Sequence, residues 1–198
     1  MALIILDRDG VINHDSADYI KSPKEWEPIS GSLEAIARLC RANYRVVIAT
    51  NQSGIGRGLF DIDILNRIHR KMIVCAQEKG GRIDAIFFCP HVPDDECSCR
   101  KPKPGLLLEA SERLRTPLAG VPFVGDSASD VEAAQAVGAL PILVSTSNAH
   151  ANDADWLASD DQHQFANIPV YRDLAAFVDH LLDSRLDHQV ARAHRGTP

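Results

Sequence analysis

Asp7 and Asp9, one residue apart, close an apolar run that starts at Ala2, and Gly10 follows at once. Because they flank a single residue, both carboxylates can turn toward one pocket. Asp126, which follows the apolar run at 122–124, would complete a set of hard oxygen ligands for Mg²⁺. Carboxylates this close repel one another, so the cluster calls for a cation, and the chemistry it suits is phosphoryl transfer. A second group, Cys89, His91, Cys97 and Cys99, has the spacing of a metal site. Three thiolates and one imidazole fill the tetrahedral shell of Zn²⁺ and leave no position for a reacting water, so this site reads as structural. Pro93, Asp94, Asp95 and Glu96, inside the zinc loop 89–99, cannot pack as a core by themselves. Zinc would give that loop its shape and aim Arg100 and Lys101, which follow the last ligand.

Short apolar, β-branched runs must carry these residues. They stand at Leu3–Leu6, Arg45–Ala49, Ala85–Phe88, Pro122–Val124 and Pro141–Val144, with a further edge strand at Ile168–Val170. Near-continuous apolarity over such spans is what strands covered on both faces need, so the sheet should be mainly parallel. Helical spacing lies between them. One helix starts with Ser32 as N-cap, a second runs from Asp61 to Glu78, a third follows Pro104-Gly105 and a fourth lies between Ser127 and Val137. Leu174, Phe177, Val178, Leu181 and Leu182 make a last amphipathic helix, and residues 185–198 have little to bury, so a disordered tail is expected there. Strand and helix alternate, which gives a doubly wound α/β fold over 1–184 as a single domain. In such a fold ligands collect outside the carboxyl ends of the strands, where Asp7, Thr50 and Asp126 all fall.

At 198 residues and 45% hydrophobic the chain can bury one substantial core. No run is long enough to span a bilayer and no secretory leader is visible, so a soluble cytoplasmic protein without a membrane partner is expected. The formal charge of -6 and the lack of a basic stripe with aromatics argue against a nucleic-acid partner. Cys40 and Cys75 sit in helical patterns as small hydrophobes, and nothing demands more than a monomer.

Strand–Asp–x–Asp–Gly, strand–Thr–Asn, Arg-Lys-Pro and strand–Gly–Asp–x₃–Asp, in that order over residues 2–144, resemble the four motifs of the haloacid dehalogenase-like (HAD) phosphohydrolases. The resemblance implies that Asp7 is a nucleophile forming an aspartyl-phosphate and that Asp9 is the general acid, then base. It implies that Thr50 and Asn51 donate to the phosphoryl oxygens, that Lys101 offsets its charge, and that Asp7, Asp9 and Asp126 hold Mg²⁺. Asp130 reads as a helix cap or supporting group. With the zinc loop added, Asp7–Asn13, Thr50–Gly58, Cys89-Pro90-His91 and Cys99–Gly105 look like the zinc-containing heptose-bisphosphate phosphatases and the related histidinol-phosphate phosphatases. That likeness implies substrate contacts at Asp15, Thr50, Asn51, Gln52, Ser53, Arg100, Lys101 and Ser127, and a small sugar phosphate as substrate. Asp15–Pro23 is one residue longer than the family's corresponding segment and also carries Tyr19; Arg57 reads as a solvated cation. No stretch is long enough for a large cap domain, so substrate choice falls to short loops.

Three alternatives use the same residues. Histidinol phosphate would need an acidic surface, which Asp15, Asp94, Asp95 and Glu96 could supply, whereas a bisphosphate needs the cations Arg100 and Lys101. A non-catalytic zinc-stabilised module is disfavoured by the presence of both Asp7 and Asp9. An uncapped site could admit the 3′-phosphate of a nucleic-acid end, against the acidic balance of the chain. The anomer of the sugar is not legible.

Overall fold

The structure, a computed structural model, describes residues 2–146 and 167–193, the stretch 185–193 as helical backbone only. Six strands, β1 (Ala2–Leu6), β2 (Tyr44–Asn51), β3 (Ala85–Cys89), β4 (Pro122–Gly125), β5 (Leu140–Val144) and β6 (Val170–Tyr171), form one sheet in the order β3-β2-β1-β4-β5-β6. Every pairing is parallel. The helices among the described residues are α1 (Ser32–Arg41), α2 (Ile62–Glu78), α3 (Gly105–Leu114), α4 (Ala128–Ala136) and α5 (Leu174–Ala193).

Side chains alternate across a strand, and this divides the core in two. Ile4 and Leu6 of β1, with Val46 and Ile48 of β2, face Leu33, Ile36 and Leu39 of α1, Ile68 and Met72 of α2, and Leu174, Phe177 and Val178 of α5. Leu3 and Ile5, with Val47 and Ala49, face Leu106, Leu107 and Ala110 of α3 and Ala133 and Ala134 of α4. Each fully buried Leu, Ile or Phe contributes about 1.5–3 kcal/mol relative to exposure, so the two layers fix the sheet between them. This is the expected doubly wound α/β fold, and no cap domain stands among the described residues.

Asp61 caps α2, its carboxylate accepting from the Ile64 amide at 2.8 Å. Helix α1 differs from expectation. Gly31 holds the N-cap position with φ +84°, and Ser32 lies inside the helix with its hydroxyl donating to the Ile12 carbonyl at 2.7 Å. The serine is spent on a buried tertiary bond rather than on its own helix. The last helix continues to Ala193, past the end expected near Ser184; Leu186, Gln189, Ala191 and Arg192 are residue types that favour helix. Residues 194–198, the rest of the expected tail, lie outside the described residues. No helix of the described residues is long and apolar enough to cross a membrane.

Chain order reverses at β1. The chain moves outward through β2 and β3, then returns to place β4 on the other side of β1. The crevice outside the carboxyl ends of β1 and β4 is therefore the switch point, and Asp7 and Asp126 stand on its two sides.

Candidate active site

Asp7 follows β1 directly, and its amide remains in the sheet by donating to the Val124 carbonyl at 2.8 Å. Its Oδ1 accepts from the Arg8 amide at 2.7 Å and lies 3.0 Å from Lys101 Nζ. Lys101 is 3% exposed; its ammonium also touches Asp130 Oδ1 at 2.6 Å and donates to the Ala49 carbonyl at 3.0 Å. Burial works against that charge, yet Asp130 and Asp7 together hold the Lys101 pKa above the ordinary lysine value. One cation thus ties the end of β1 to the start of α4.

Asp7, Asp126 and Asp130 each offer a carboxylate oxygen within 4.8 Å of the others. Burial pushes Asp7 up to about 7 against the pull of Lys101, and the charges of Asp130 and Asp9 push it the same way. Asp126 is held well above the usual carboxylate range, first by burial and then by Asp130 and Asp7. Two carboxylates that burial and mutual repulsion hold toward the neutral form are a donor set that fits a divalent cation. Asp130 has other work: its Oδ2 accepts from the Ser127 hydroxyl at 2.7 Å and from the Asp126 and Ser127 amides at 3.2 Å, capping α4. Gly10 has φ +72°, and a Cβ there would fall 1.8 Å from Asp126 Oδ2. The backbone of this turn therefore lies directly against the Asp126 carboxylate, and the Thr146 hydroxyl donates to the Gly10 carbonyl from beyond β5.

The carboxylate of Asp9 stands apart from that trio. Its oxygens accept from Arg8 Nε at 3.0 Å and Nη2 at 2.8 Å, from Asn13 Nδ2 at 2.8 Å and from Gln52 Nε2 at 2.8 Å. These charge-assisted and amide donors fix the side chain toward Arg8, Asn13 and Gln52. Trp26, 1% exposed, donates from Nε1 to Asn13 Oδ1 at 2.8 Å and so orients the amide whose other end reaches Asp9. Lys71 in turn pins the loop bearing Trp26 through the Pro23 and Trp26 carbonyls, each at 2.7 Å.

Thr50 and Asn51 end β2. The Thr50 hydroxyl accepts from Gln52 Nε2 at 3.0 Å, which leaves its own proton to donate. Asn51, expected to donate to a phosphoryl group, grips the backbone of Lys101: its Nδ2 donates to the Lys101 carbonyl and its Oδ1 accepts from the Lys101 amide, both at 3.1 Å. One Nδ2 proton and the oxygen are thus spent on that backbone, so the side chain holds Lys101 in place and keeps a second Nδ2 proton to donate. Gln52, expected at the substrate, reaches Asp9 and Thr50. Ser53 is buried beside them, Ser127 is held by Asp130 and Ser129, and Asp15 is exposed, its Oδ1 accepting from the Ser16 amide at 2.7 Å.

Cys89, at the end of β3, meets His91, Cys97 and Cys99 in the following loop. Five of the six separations among the four ligand atoms lie between 3.3 and 3.6 Å. A tetrahedron with Zn–S of about 2.3 Å has edges of about 3.8 Å, so the group could hold a zinc ion with little movement. Burial pushes the Cys89 thiol up to about 12, and a thiolate here needs a cation beside it. The loop is seated closely: a Cβ on Gly105 would fall 2.3 Å from the Ser98 carbonyl oxygen, so α3 begins in contact with the loop. Arg100 is half-buried and donates from Nη1 to the His91 carbonyl at 3.4 Å.

Arg8, Asn13, Trp26, His69 and Lys71 were not visible as site residues in the sequence. Arg8 carried a signal, being a cation enclosed by two carboxylates. His69 carried a weaker one, as a polar residue on the apolar stripe of Leu65, Ile68 and Met72.

Residues 98–174 match the HAD-hydrolase-like family model. The D-glycero-beta-D-manno-heptose-1,7-bisphosphate 7-phosphatase of Bordetella bronchiseptica is 50% identical over 182 residues, 92% of this chain and 98% of that protein. The enzyme of the same name from Pseudomonas aeruginosa is 54% identical over 145 residues, 73% of this chain and 82% of that one. The crystal structure of the B. bronchiseptica D,D-heptose 1,7-bisphosphate phosphatase, complexed with magnesium and phosphate, superposes with a TM-score of 0.84 at 48% identity, covering 93% of this chain and 99% of that one. That of the Burkholderia thailandensis enzyme does so with a TM-score of 0.64 at 41% identity, over 92% and 99% of the two chains. With this coverage and identity, the chain belongs to the heptose-1,7-bisphosphate 7-phosphatase family of the HAD-like hydrolases.

Proposed function

We propose that this protein removes the 7-phosphate of D-glycero-β-D-manno-heptose 1,7-bisphosphate, giving heptose 1-phosphate and phosphate on the route to nucleotide-activated heptose. The observation that carries this reading is the Asp7 carboxylate at the switch point, paired with buried Lys101 at 3.0 Å and crowded by Asp126. In the proposed reaction Asp7 attacks phosphorus and the bond to the sugar oxygen breaks, while Asp9 delivers a proton to the leaving alkoxide. Asp9 then takes a proton from the water that cleaves the aspartyl-phosphate. The Thr50 hydroxyl donates to a phosphoryl oxygen, Lys101 offsets its charge, and Asn51 holds Lys101. Arg100 takes the second phosphate, with Ser53, Ser127 and Asp15 assigned to the sugar.

Asp7 and Asp126 are the side chains proposed to hold Mg²⁺; Asp9, expected beside them, is assigned to proton transfer alone. When bound, the ion neutralises charge developing on the phosphoryl group. Zn²⁺ on Cys89, His91, Cys97 and Cys99 is proposed to be structural. Gly10→Ala should force Asp126 from its place, since the new methyl overlaps that carboxylate and φ +72° disfavours it as well. The expected result is a fall in kcat of at least about 100-fold at saturating substrate together with a raised Mg²⁺ requirement. Full activity at the wild-type Mg²⁺ concentration would remove Asp126 from the ion site.

Substrate choice is tested by kcat/KM for both anomers of the heptose bisphosphate, histidinol phosphate and a 3′-phosphorylated oligonucleotide. The β-bisphosphate should exceed the last two by at least about 100-fold, because buried polar groups left unpaired reject a wrong ligand. Equal or better turnover of either would replace the proposed substrate.

A further inference from the structure

Arg8 is 1% exposed, and its guanidinium spends Nε and Nη2 on Asp9. Nη1 points the other way, 3.5 Å from His69 Nε2 on α2. A guanidinium only donates, so this contact requires a lone pair on Nε2, and the ring proton must then sit on Nδ1. Burial, and after it the Arg8 charge, depress the His69 pKa to about 3 against the opposing pull of Asp9, so the ring is neutral at physiological pH. Phe88 meets the ring edge-on, with centroids 6.0 Å apart at 64°, which sets its plane. His69 thus occupies a place on the buried stripe of α2 where an aliphatic side chain would pack without a polar cost. What the imidazole adds is an acceptor behind Arg8.

We infer that His69 is a positioning residue for the reaction, acting through the Arg8 guanidinium to set where the Asp9 carboxyl stands relative to the leaving group. The chain of contact is His69 Nε2 to Arg8 Nη1, then Arg8 Nε and Nη2 to both oxygens of Asp9. A fork gripping both oxygens fixes the plane of the carboxyl as well as its distance, and an acceptor on the far side keeps the fork from rotating. Gln52 and Asn13 each reach one oxygen of Asp9 and complete the grip. The inference rests on the proposed role of Asp9 as proton donor to the sugar alkoxide.

The role predicts a dependence on the leaving group. A sugar alkoxide needs the proton from Asp9, whereas p-nitrophenolate departs without one. In the first turnover, before Asp9 acts as base, His69→Leu should therefore lower the rate of heptose 1-phosphate release about tenfold and that of p-nitrophenolate release by less than about twofold. His69→Gln, which restores an acceptor, should recover most of the loss. Arg8→Lys keeps the charge and loses the fork, and should show the same selectivity should the leucine variant not fold. Equal losses on both substrates, or none on either, would overturn the inference. Asp9→Asn run alongside separates the two readings. If it slows first-turnover release from both substrates alike, Asp9 is not the proton donor; if it is selective there while the His69 and Arg8 variants are not, only the positioning role fails.

Discussion

Asp7→Asn should abolish phosphate release, lowering kcat by at least about three orders of magnitude, while leaving a protein no less stable than the wild type. The activity loss follows from the proposed covalent route, since an amide oxygen cannot attack phosphorus at a useful rate and, among the described residues, no other carboxylate stands in its place. Asp130 cannot substitute, because one oxygen is committed to Lys101 at 2.6 Å and the other to the N-terminus of α4. The stability result follows from the charges. Burial and the neighbouring carboxylates raise the Asp7 carboxyl from 3.8 to about 7, so the fold binds that proton more tightly than the unfolded chain does. Stability without divalent cation should therefore fall as pH rises from about 4 to about 7, and the asparagine variant should lack that part of the slope. Lys101 loses one partner but keeps Asp130 and the Ala49 carbonyl. Phosphate assays with thermal unfolding in chelator at pH 5 and pH 8 measure both effects. A variant with near-wild-type turnover would sink the covalent mechanism, and one markedly less stable at pH 8 would show that the Lys101 pair outweighs the crowding.

The placement of Asp7, Thr50 and Asp126 was legible because each closes an apolar run, and a parallel sheet buried on both faces turns such runs into strands whose carboxyl ends share one crevice. The Cys/His group was legible for a different reason: four soft ligands within eleven residues leave few geometries besides a metal site. Hydrogen bonds between distant residues were not. Asn51 stands at the expected strand end, yet nothing along the chain says that its amide would close on the backbone of Lys101, fifty residues away. The same holds for Asp9, whose spacing from Asp7 suggested a shared ion and whose side chain answers to Arg8, Asn13 and Gln52. Sequence spacing fixes where a side chain leaves the backbone; competition among donors decides where it points. Ser32 shows this at small scale, a good cap residue taken instead by a buried carbonyl of the preceding loop.

Loss of zinc should separate the two cations that follow the cluster. Cys97→Ser removes one ligand at a half-buried position, and the expected protein carries well under one zinc per chain, against about one for the wild type by elemental analysis. Its melting temperature should fall by about 10 °C, as expected if the ion contributes about 3–5 kcal/mol to a loop that has no core of its own. Lys101 should stay near its place, because Asn51 grips its backbone at both atoms and Asp7, Asp130 and the Ala49 carbonyl hold its ammonium without help from the loop. Arg100 rests on the loop itself: its Nη1 donates to the carbonyl of His91, a proposed zinc ligand. KM for the bisphosphate should then rise at least about tenfold while kcat falls only a few fold, and a monophosphate lacking the second phosphate should show little change in KM. A fall in kcat with unchanged KM would place the metal's influence on Lys101 instead, and a zinc-free protein with wild-type melting and KM would leave the loop shaped by packing alone.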